Sequence, residues 1–276
     1  MLIEKHFDTG EVVLNYAEGP NNGPPLIMIP GGTQRWQSYY LPIINQLTPR
    51  WHIYALDHRG HGKSGRTPGK YRLKDYAEDV VAFINHLEEK AVLFGHSMGG
   101  MIAEGVAAQI SDKLLALILA DPSLTVQSAY RWANADFFQP WCKAMIQVIN
   151  EGGSVHEIAE KLGDGPVSPE NLERARTLSE LDVGVFEALT RVDDWMIDYD
   201  IDSMVKSFTC PVLLIQADDV GMGHQMTDSD VDYGLSILSD VAHVKIKGVG
   251  HGFDLWTGKT NDDLVNAVMS YLESFR

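Results

Sequence analysis

The sequence predicts an α/β fold: a mostly parallel sheet flanked by helices, with an inserted helical cap. Three observations point there. Short apolar runs alternate with segments of helical period along most of the chain. That alternation is the mark of an open sheet covered on both faces. It breaks only once, between Asp121 and Cys210, where no buried strand can be read. A glycine-flanked serine, Ser97, stands where an apolar run gives way to a helix-like segment.

Taken in order, residues 2–6 and 12–16 flank Asp8-Thr9-Gly10 and read as an antiparallel hairpin at the sheet edge. Runs at 26–29, 52–56, 91–94, 114–120, 212–215 and 242–246 are short, continuous and apolar, as suits strands buried on both faces. Between them, Leu73, Tyr76, Ala77, Val80, Ile84 and Leu87 recur at three- and four-residue steps and make one apolar helix face. Leu264, Val265, Val268, Met269 and Leu272 repeat the pattern near the end. The core is therefore expected over residues 1–121 and 207–276, with a helical cap or lid over 122–206. The cap carries Tyr130, Trp132, Phe137, Phe138, Trp141, Phe186 and Trp195, while Trp141, Met145, Val148 and Ile149 keep helical spacing. Most of these aromatics are expected to pack helices together. A cap over a sheet edge also encloses the kind of concave apolar space where ligands bind.

Composition narrows the classes. The chain has 276 residues, 45% hydrophobic and 22% charged, enough apolar material for a sizeable core. Its net charge of -16 leaves no basic stripe to displace counterions from nucleic acid, and repels anionic membranes. The two cysteines, Cys142 and Cys210, fit no metal motif and are expected to be reduced, as in the cytoplasm. Glu4, Lys5 and Asp8 interrupt any apolar stretch at the N-terminus, so no secretory signal is read there. The longest apolar run, 114–120, is far too short to span a bilayer. The expected protein is cytoplasmic and needs no cofactor or metal; a homo-oligomer stays open.

Gly95-His96-Ser97-Met98-Gly99-Gly100 is the site of chemistry. A serine on a sharp strand-to-helix turn is crowded by the residues two before and two after it, and glycine at both places relieves the clash. The helix that follows offers free N–H groups and a positive dipole end to a developing oxyanion. A serine hydroxyl needs a base within reach. Of ten histidines, His251 follows the last expected strand on a Gly-flanked loop and so emerges at the same sheet edge as Ser97. His58 and His61 lie in the loop 57–64 and read as structural or pocket-shaping; His96 is adjacent to the serine, where neighbouring side chains point apart. Met98, the residue after the serine, supplies one oxyanion amide.

These motifs resemble the α/β-hydrolase family over nearly the whole chain apart from the cap. Gly95 to Gly100 resembles its nucleophile elbow, Asp57-His58-Arg59-Gly60-His61-Gly62-Lys63-Ser64 its glycine-rich loop, and Val249-Gly250-His251-Gly252 its late histidine loop. The resemblance implies a second oxyanion amide at Gly32 in Pro30-Gly31-Gly32-Thr33, where Pro30 replaces the family's usual histidine. It also implies a triad acid. The family's common place, after the strand that follows the cap, falls on Val220; Asp218 and Asp219 are nearby alternatives. Some members carry the acid one strand earlier, which here gives Asp121, the preferred assignment.

The expected function is a cofactor-free serine hydrolase of a small, largely apolar acyl substrate: a carboxylic ester, lactone or related acyl compound. C–C bond hydrolysis, amide hydrolysis and perhydrolysis use the same groups and remain alternatives. A receptor that binds without turnover is the alternative of another class. Arg35 and Arg131 are candidates to grip a substrate carboxylate, although solvated surface arginine is the plainer reading of both.

Overall fold

The computed structural model describes residues 1–162, 165–221, 223–253 and 261–275. One sheet of eight strands runs through it: β1 (Ile3–Asp8), β2 (Val13–Glu18), β3 (Pro25–Ile29), β4 (His52–Leu56), β5 (Ala91–His96), β6 (Leu114–Ala120), β7 (Val212–Gln216) and β8 (Val241–Lys245). Their spatial order is β1-β2-β4-β3-β5-β6-β7-β8. β1 pairs antiparallel with β2, and β2 with β4. Every later pairing is parallel.

Alternate residues of each central strand feed opposite faces, because successive side chains on a strand point to opposite sides. Ile27, Ile29, Leu93, Leu117 and Leu119 pack with α2 (Leu73–His86) and α3 (Met98–Ile110). Leu26, Met28, Val92, Phe94 and Ile118 pack with α1 (Trp36–Leu47) and α12 (Asp262–Leu272). β3, β5 and β7 are buried along their whole length. β8 departs from the expectation of a strand covered on both faces: it is the sheet edge, and Ala242 and His243 are exposed.

Between β6 and β7 lie α4 (Val126–Ala133), α5 (Phe138–Asn150), α6 (Val155–Glu160), α7 (Pro169–Ser179), α8 (Val183–Leu189), α9 (Val192–Trp195) and α10 (Ile201–Lys206). Among the described residues this insertion contains no strand. Five of these seven helices begin where a short polar side chain accepts an early backbone N–H: Thr125, Ser154, Ser168, Asp182 and Asp200 each do so. No helix is long and apolar enough to cross a membrane among the described residues. The last helix before β8 is α11 (Asp228–Ile237).

One buried group works against the fold. Glu104 on α3 is fully buried, and neither carboxyl oxygen has a hydrogen-bond partner among the described residues. Burial, aided by the charges of Asp202 and Asp230, pushes its pKa well above the ordinary 4.5. The folded state therefore holds a proton that the unfolded chain releases as pH rises past that ordinary value, and stability falls with increasing pH. Glu104→Gln removes this drain. It is expected to raise the melting temperature at pH 8 by at least about 2 °C, with the gain vanishing near pH 4, as thermal melts at the two pH values would reveal. A shift of equal size at both would show that the carboxyl is not the cause.

Candidate active site

The nucleophile candidate sits on a backbone that only a tight turn enforces. Ser97 follows β5 and precedes α3 with φ 55 and ψ -123, a conformation that costs a non-glycine residue on the order of 1–3 kcal/mol. The flanking glycines are sterically required. A Cβ at Gly95 would stand 2.3 Å from the Gly99 carbonyl oxygen, and one at Gly99 would stand 2.4 Å from the Pro30 carbonyl oxygen. Both lie far inside van der Waals contact, so the turn and the loop after β3 close on each other only because these side chains are missing.

The sheet register sets the next distance. His96 and Ala120 are partners in the β5–β6 ladder. Both ladders of β6 continue one step further: Ser97 N–H donates to the Ala120 carbonyl at 2.9 Å on the β5 side, and Asp121 N–H donates to the Ile215 carbonyl at 2.8 Å on the β7 side. Ser97 and Asp121 thus leave adjacent parallel strands side by side. Asp121 is fully buried and, like Ser97, has positive φ, at 51.

His251 bridges the two. It is 2% exposed, with Nε2 2.8 Å from Ser97 Oγ and Nδ1 2.7 Å from Asp121 Oδ2. Backbone N–H groups complete the carboxylate's surroundings: Gln225 N donates to Oδ2 at 2.8 Å, while Met226 N and Ala217 N donate to Oδ1 at 3.1 and 3.4 Å. A carboxylate out of water needs donors of this kind. Asp218 lies elsewhere, accepting from Gly248 N–H at 2.9 Å and Asp219 N–H at 3.0 Å, and these bonds hold its pKa below the usual value. Asp219 is exposed and within 3.9 Å of His224, and Val220 is 40% exposed. Neither Asp218 nor Asp219 is bonded to His251.

The loop after β3 carries Gly32, which borders the same cavity as Met98, Ser97 and His251. A Cβ on Gly32 would meet Met98 Sδ at 3.3 Å, so the two residues are neighbours across the turn. Two buried histidines hold this loop. His58 Nε2–H donates to the Pro30 carbonyl at 2.8 Å, and Thr33 N–H donates to His61 Nε2 at 3.3 Å. His61 Nδ1–H in turn donates to the Arg59 carbonyl at 2.9 Å. Burial lowers His58 to about 4 and, with help from His58, His61 to about 3, so both stay neutral near pH 7. The hydrogen bonding that Pro30 cannot supply through a side chain comes from the loop after β4.

Three further residues shape the site and escaped sequence reasoning. His96 is fully buried and donates Nε2–H to the His251 carbonyl at 2.7 Å, anchoring the loop that carries the imidazole. Burial pushes its pKa well down, consistent with a neutral donor. Trp132 of α4 lays its ring against His251, with centroids 4.6 Å apart and planes at 44°. Gln225 points Oε1 at Ser97 Oγ, 3.3 Å away, and donates Nε2–H to Ser123 Oγ at 2.7 Å. Its backbone carbonyl accepts from Arg131 at 3.1 Å. The only sequence signals were the aromatic richness of the insertion and the adjacency of His96 to Ser97; Gln225 carried none.

These groups open on a cavity of about 460 Å³ between the sheet edge and the insertion, within the size range of small-molecule sites. Phe137, Phe138, Trp141, Leu189 and Trp195 form much of its wall. Arg35 and Arg131 do not border it. Arg35 pairs with Glu173 and Glu180 at 3.2 and 2.8 Å, and Arg131 pairs with Asp230 at 2.9 Å. Among the described residues no group of three or more His, Cys, Asp or Glu side chains is arranged to hold a metal ion.

Comparison with known proteins places the chain. A family model described as the alpha/beta hydrolase fold matches residues 24–141. The 2-(acetamidomethylene)succinate hydrolase of Mesorhizobium japonicum is 31% identical over 121 residues, 44% of this chain and 43% of that protein. This alignment therefore spans less than half of that relative's length. The 3-oxoadipate enol-lactonase 2 of Acinetobacter baylyi is 24% identical over 211 residues, covering 74% of this chain and 75% of the relative. The crystal structure of the N-formylmaleamic acid deformylase from Pseudomonas putida superposes with a TM-score of 0.78 at 23% identity, over 97% of this chain and 100% of that one. By name these are all hydrolytic enzymes, and the architecture is shared.

Proposed function

We propose that this chain, a member of the α/β-hydrolase fold family, is a cofactor-free serine hydrolase of a carboxylic ester, lactone or related acyl compound. One observation carries the reading: the relay from Ser97 Oγ through His251 to Asp121, with both contacts under 3 Å. Its members come from the ends of β5 and β6 and the loop after β8.

In this reading His251 Nε2 takes the hydroxyl proton as Ser97 Oγ attacks the acyl carbon. Asp121 fixes the tautomer that leaves Nε2 free to accept, and stabilises the imidazolium that forms. The Gly32 and Met98 amides receive the negative charge on the carbonyl oxygen. His251 then passes its proton to the leaving oxygen, and the acyl group stays on Ser97. Water, deprotonated by His251, attacks the acyl carbon, and the acid product departs as Ser97 regains its proton. The insertion at 122–206 acts as the cap that encloses the acyl group. The relatives' names, an enol-lactonase, a deformylase and a 2-(acetamidomethylene)succinate hydrolase, support acyl transfer to water. An amide bond would use the same steps, with nitrogen as the leaving atom. The buried free cysteines Cys142 and Cys210 suit a cytoplasmic enzyme.

The test is covalent. Purified protein is mixed with activated esters and lactones, quenched with acid within the first turnovers, digested and weighed. The expected result is a burst of product matched by an acyl mass on the peptide containing Ser97. Binding without product, or product without an adduct on that peptide under burst conditions, would sink the reading.

A further inference from the structure

We propose that Gln225 holds the water that frees the acyl group from Ser97: its side-chain oxygen accepts one hydrogen of that water while His251 Nε2 takes the other. This inference rests on the serine-hydrolase reading and adds a residue to the second half of that reaction.

Two acceptors converge on Ser97 Oγ. His251 Nε2 stands 2.8 Å from it and Gln225 Oε1 3.3 Å from it. The serine has one proton to give, and the shorter contact leads it to the base. Gln225 is 3% exposed and borders the catalytic cavity together with Ser97 and His251. Its oxygen is therefore placed where the acyl group has to sit.

The far end of the amide sets which way it faces. Nε2 lies 2.7 Å from Ser123 Oγ and 3.7 Å from Met101 Sδ. An amide's oxygen and nitrogen are told apart by such partners. A thioether sulfur accepts weakly and donates nothing, so turning the amide over would set its oxygen against Met101 Sδ. The backbone of the residue is clamped as well. Its N–H donates to Asp121 Oδ2 at 2.8 Å, and its carbonyl accepts from Arg131 at 3.1 Å. One residue thus steadies the carboxylate of the relay through its backbone and aims an acceptor at the serine through its side chain.

Acylation changes what that acceptor faces. Oγ then carries the acyl carbon in place of its proton and has nothing to donate. A buried amide oxygen left facing another oxygen, with no hydrogen between them, is destabilising. A water molecule removes the conflict. Water has two hydrogens, and the two acceptors that flanked the hydroxyl can receive one each, which leaves a lone pair for the acyl carbon. The step balances. His251 takes one proton as the water oxygen bonds to the acyl carbon, and the carbonyl electron pair moves onto the oxygen held by the Gly32 and Met98 amides. That pair returns, the bond to Oγ breaks, and Oγ regains its proton from His251. Gln225 neither gains nor loses a proton. The first half of the reaction has no such need, because its nucleophile is covalently fixed to the turn.

The measurement is the pre-steady-state hydrolysis of p-nitrophenyl acetate by the natural chain, Gln225→Met and Ser123→Ala. Methionine matches glutamine in length and replaces the amide with a weak acceptor. p-Nitrophenolate leaves readily, so acylation is fast and deacylation sets kcat. Gln225→Met is expected to slow deacylation about 10- to 100-fold, with the burst phase within about threefold of the natural chain. Because deacylation does not enter kcat/KM, kcat and KM should fall together while their ratio holds, and the acyl mass on the Ser97 peptide should persist. Ser123→Ala, which releases the far end of the amide, should give the same pattern at about 3- to 10-fold. A burst slowed as much as deacylation, or a kcat/KM that falls with kcat at constant KM, would make Gln225 a structural support and overturn the proposal. Equal deacylation rates in the natural chain and Gln225→Met, with Ser97 acylated in both, would overturn the proposal and leave the serine-hydrolase reading standing. Turnover by the natural chain with neither burst nor adduct on Ser97 would remove that reading and the proposal together. Should circular dichroism show Gln225→Met unfolded, Ser123→Ala decides, and unchanged deacylation in it would overturn the proposal.

Discussion

Ser97→Ala is expected to lower kcat by about 10⁴- to 10⁶-fold while leaving the fold in place. The hydroxyl is the only atom lost, and the turn around it is set by Gly95, Gly99 and the β5–β6 ladder, not by the side chain. Alanine must still adopt φ near 55, so the melting temperature should stay close to that of the natural chain. Ser97→Gly supplies the contrast. It should be equally inactive but more stable, because glycine takes positive φ without the steric cost paid by other residues. Steady-state kinetics with the best ester from the panel, together with thermal melts of all three proteins, would test both halves. An alanine variant keeping more than about a tenth of the activity would remove Ser97 from the mechanism.

Replacing Asp121 with Asn should cost about 10⁴ in rate, whereas Asp218→Asn should cost little. The carboxylate of Asp121 accepts on both oxygens: His251 Nδ1 and Gln225 N at Oδ2, Met226 N and Ala217 N at Oδ1. An amide has only one oxygen. If its NH2 lies on the Oδ2 side, it donates to His251 Nδ1 and favours the tautomer whose Nε2 bears a proton, which cannot accept from Ser97. If it lies on the Oδ1 side, it opposes two backbone N–H groups. The substitution should therefore also lower stability, by roughly 1–3 kcal/mol for an unsatisfied buried donor. Among the described residues the Asp218 carboxylate meets only the Gly248 and Asp219 backbone N–H groups and, at 3.9 Å, Lys245. Kinetics of the two variants, each first shown folded by circular dichroism, decide the matter. An inactive Asp218→Asn beside an active Asp121→Asn would reverse the assignment.

The sheet was legible because a strand covered on both faces has to be apolar throughout, as the runs at 26–29, 91–94 and 212–215 are. β8 was less so: at the sheet edge both faces are thinly covered, and Ala242 and His243, on opposite faces, are both exposed. Ser97 was legible because the glycines around it answer a steric demand visible in the sequence itself. Asp121 could be singled out because it follows a strand immediately, and a residue at that point has a fixed place at the sheet edge. Gln225 and Trp132 could not. Gln225 reaches Ser97 from a loop whose path no local pattern encodes. Trp132 is one of eight Phe, Tyr and Trp residues in the insertion with equal claims, and only the packing of α4 brings it to His251.

Because Ser97 and Asp121 are the next residues beyond a paired His96 and Ala120, their separation is a repeat distance of the sheet, like the spacing of rungs on a ladder. No loop composition enters it. Two of the three groups in the relay are thus placed by a period that the hydrophobic core already enforces, and only His251 has to be brought in from outside. In a lineage built on this plan, the segment between β7 and α11 is relieved of carrying a reactive side chain to the imidazole. What it must keep are backbone amides, which every residue except proline possesses. Its side chains are left at liberty to vary with the ligand, and in this chain one of them, Gln225, has been turned toward the serine.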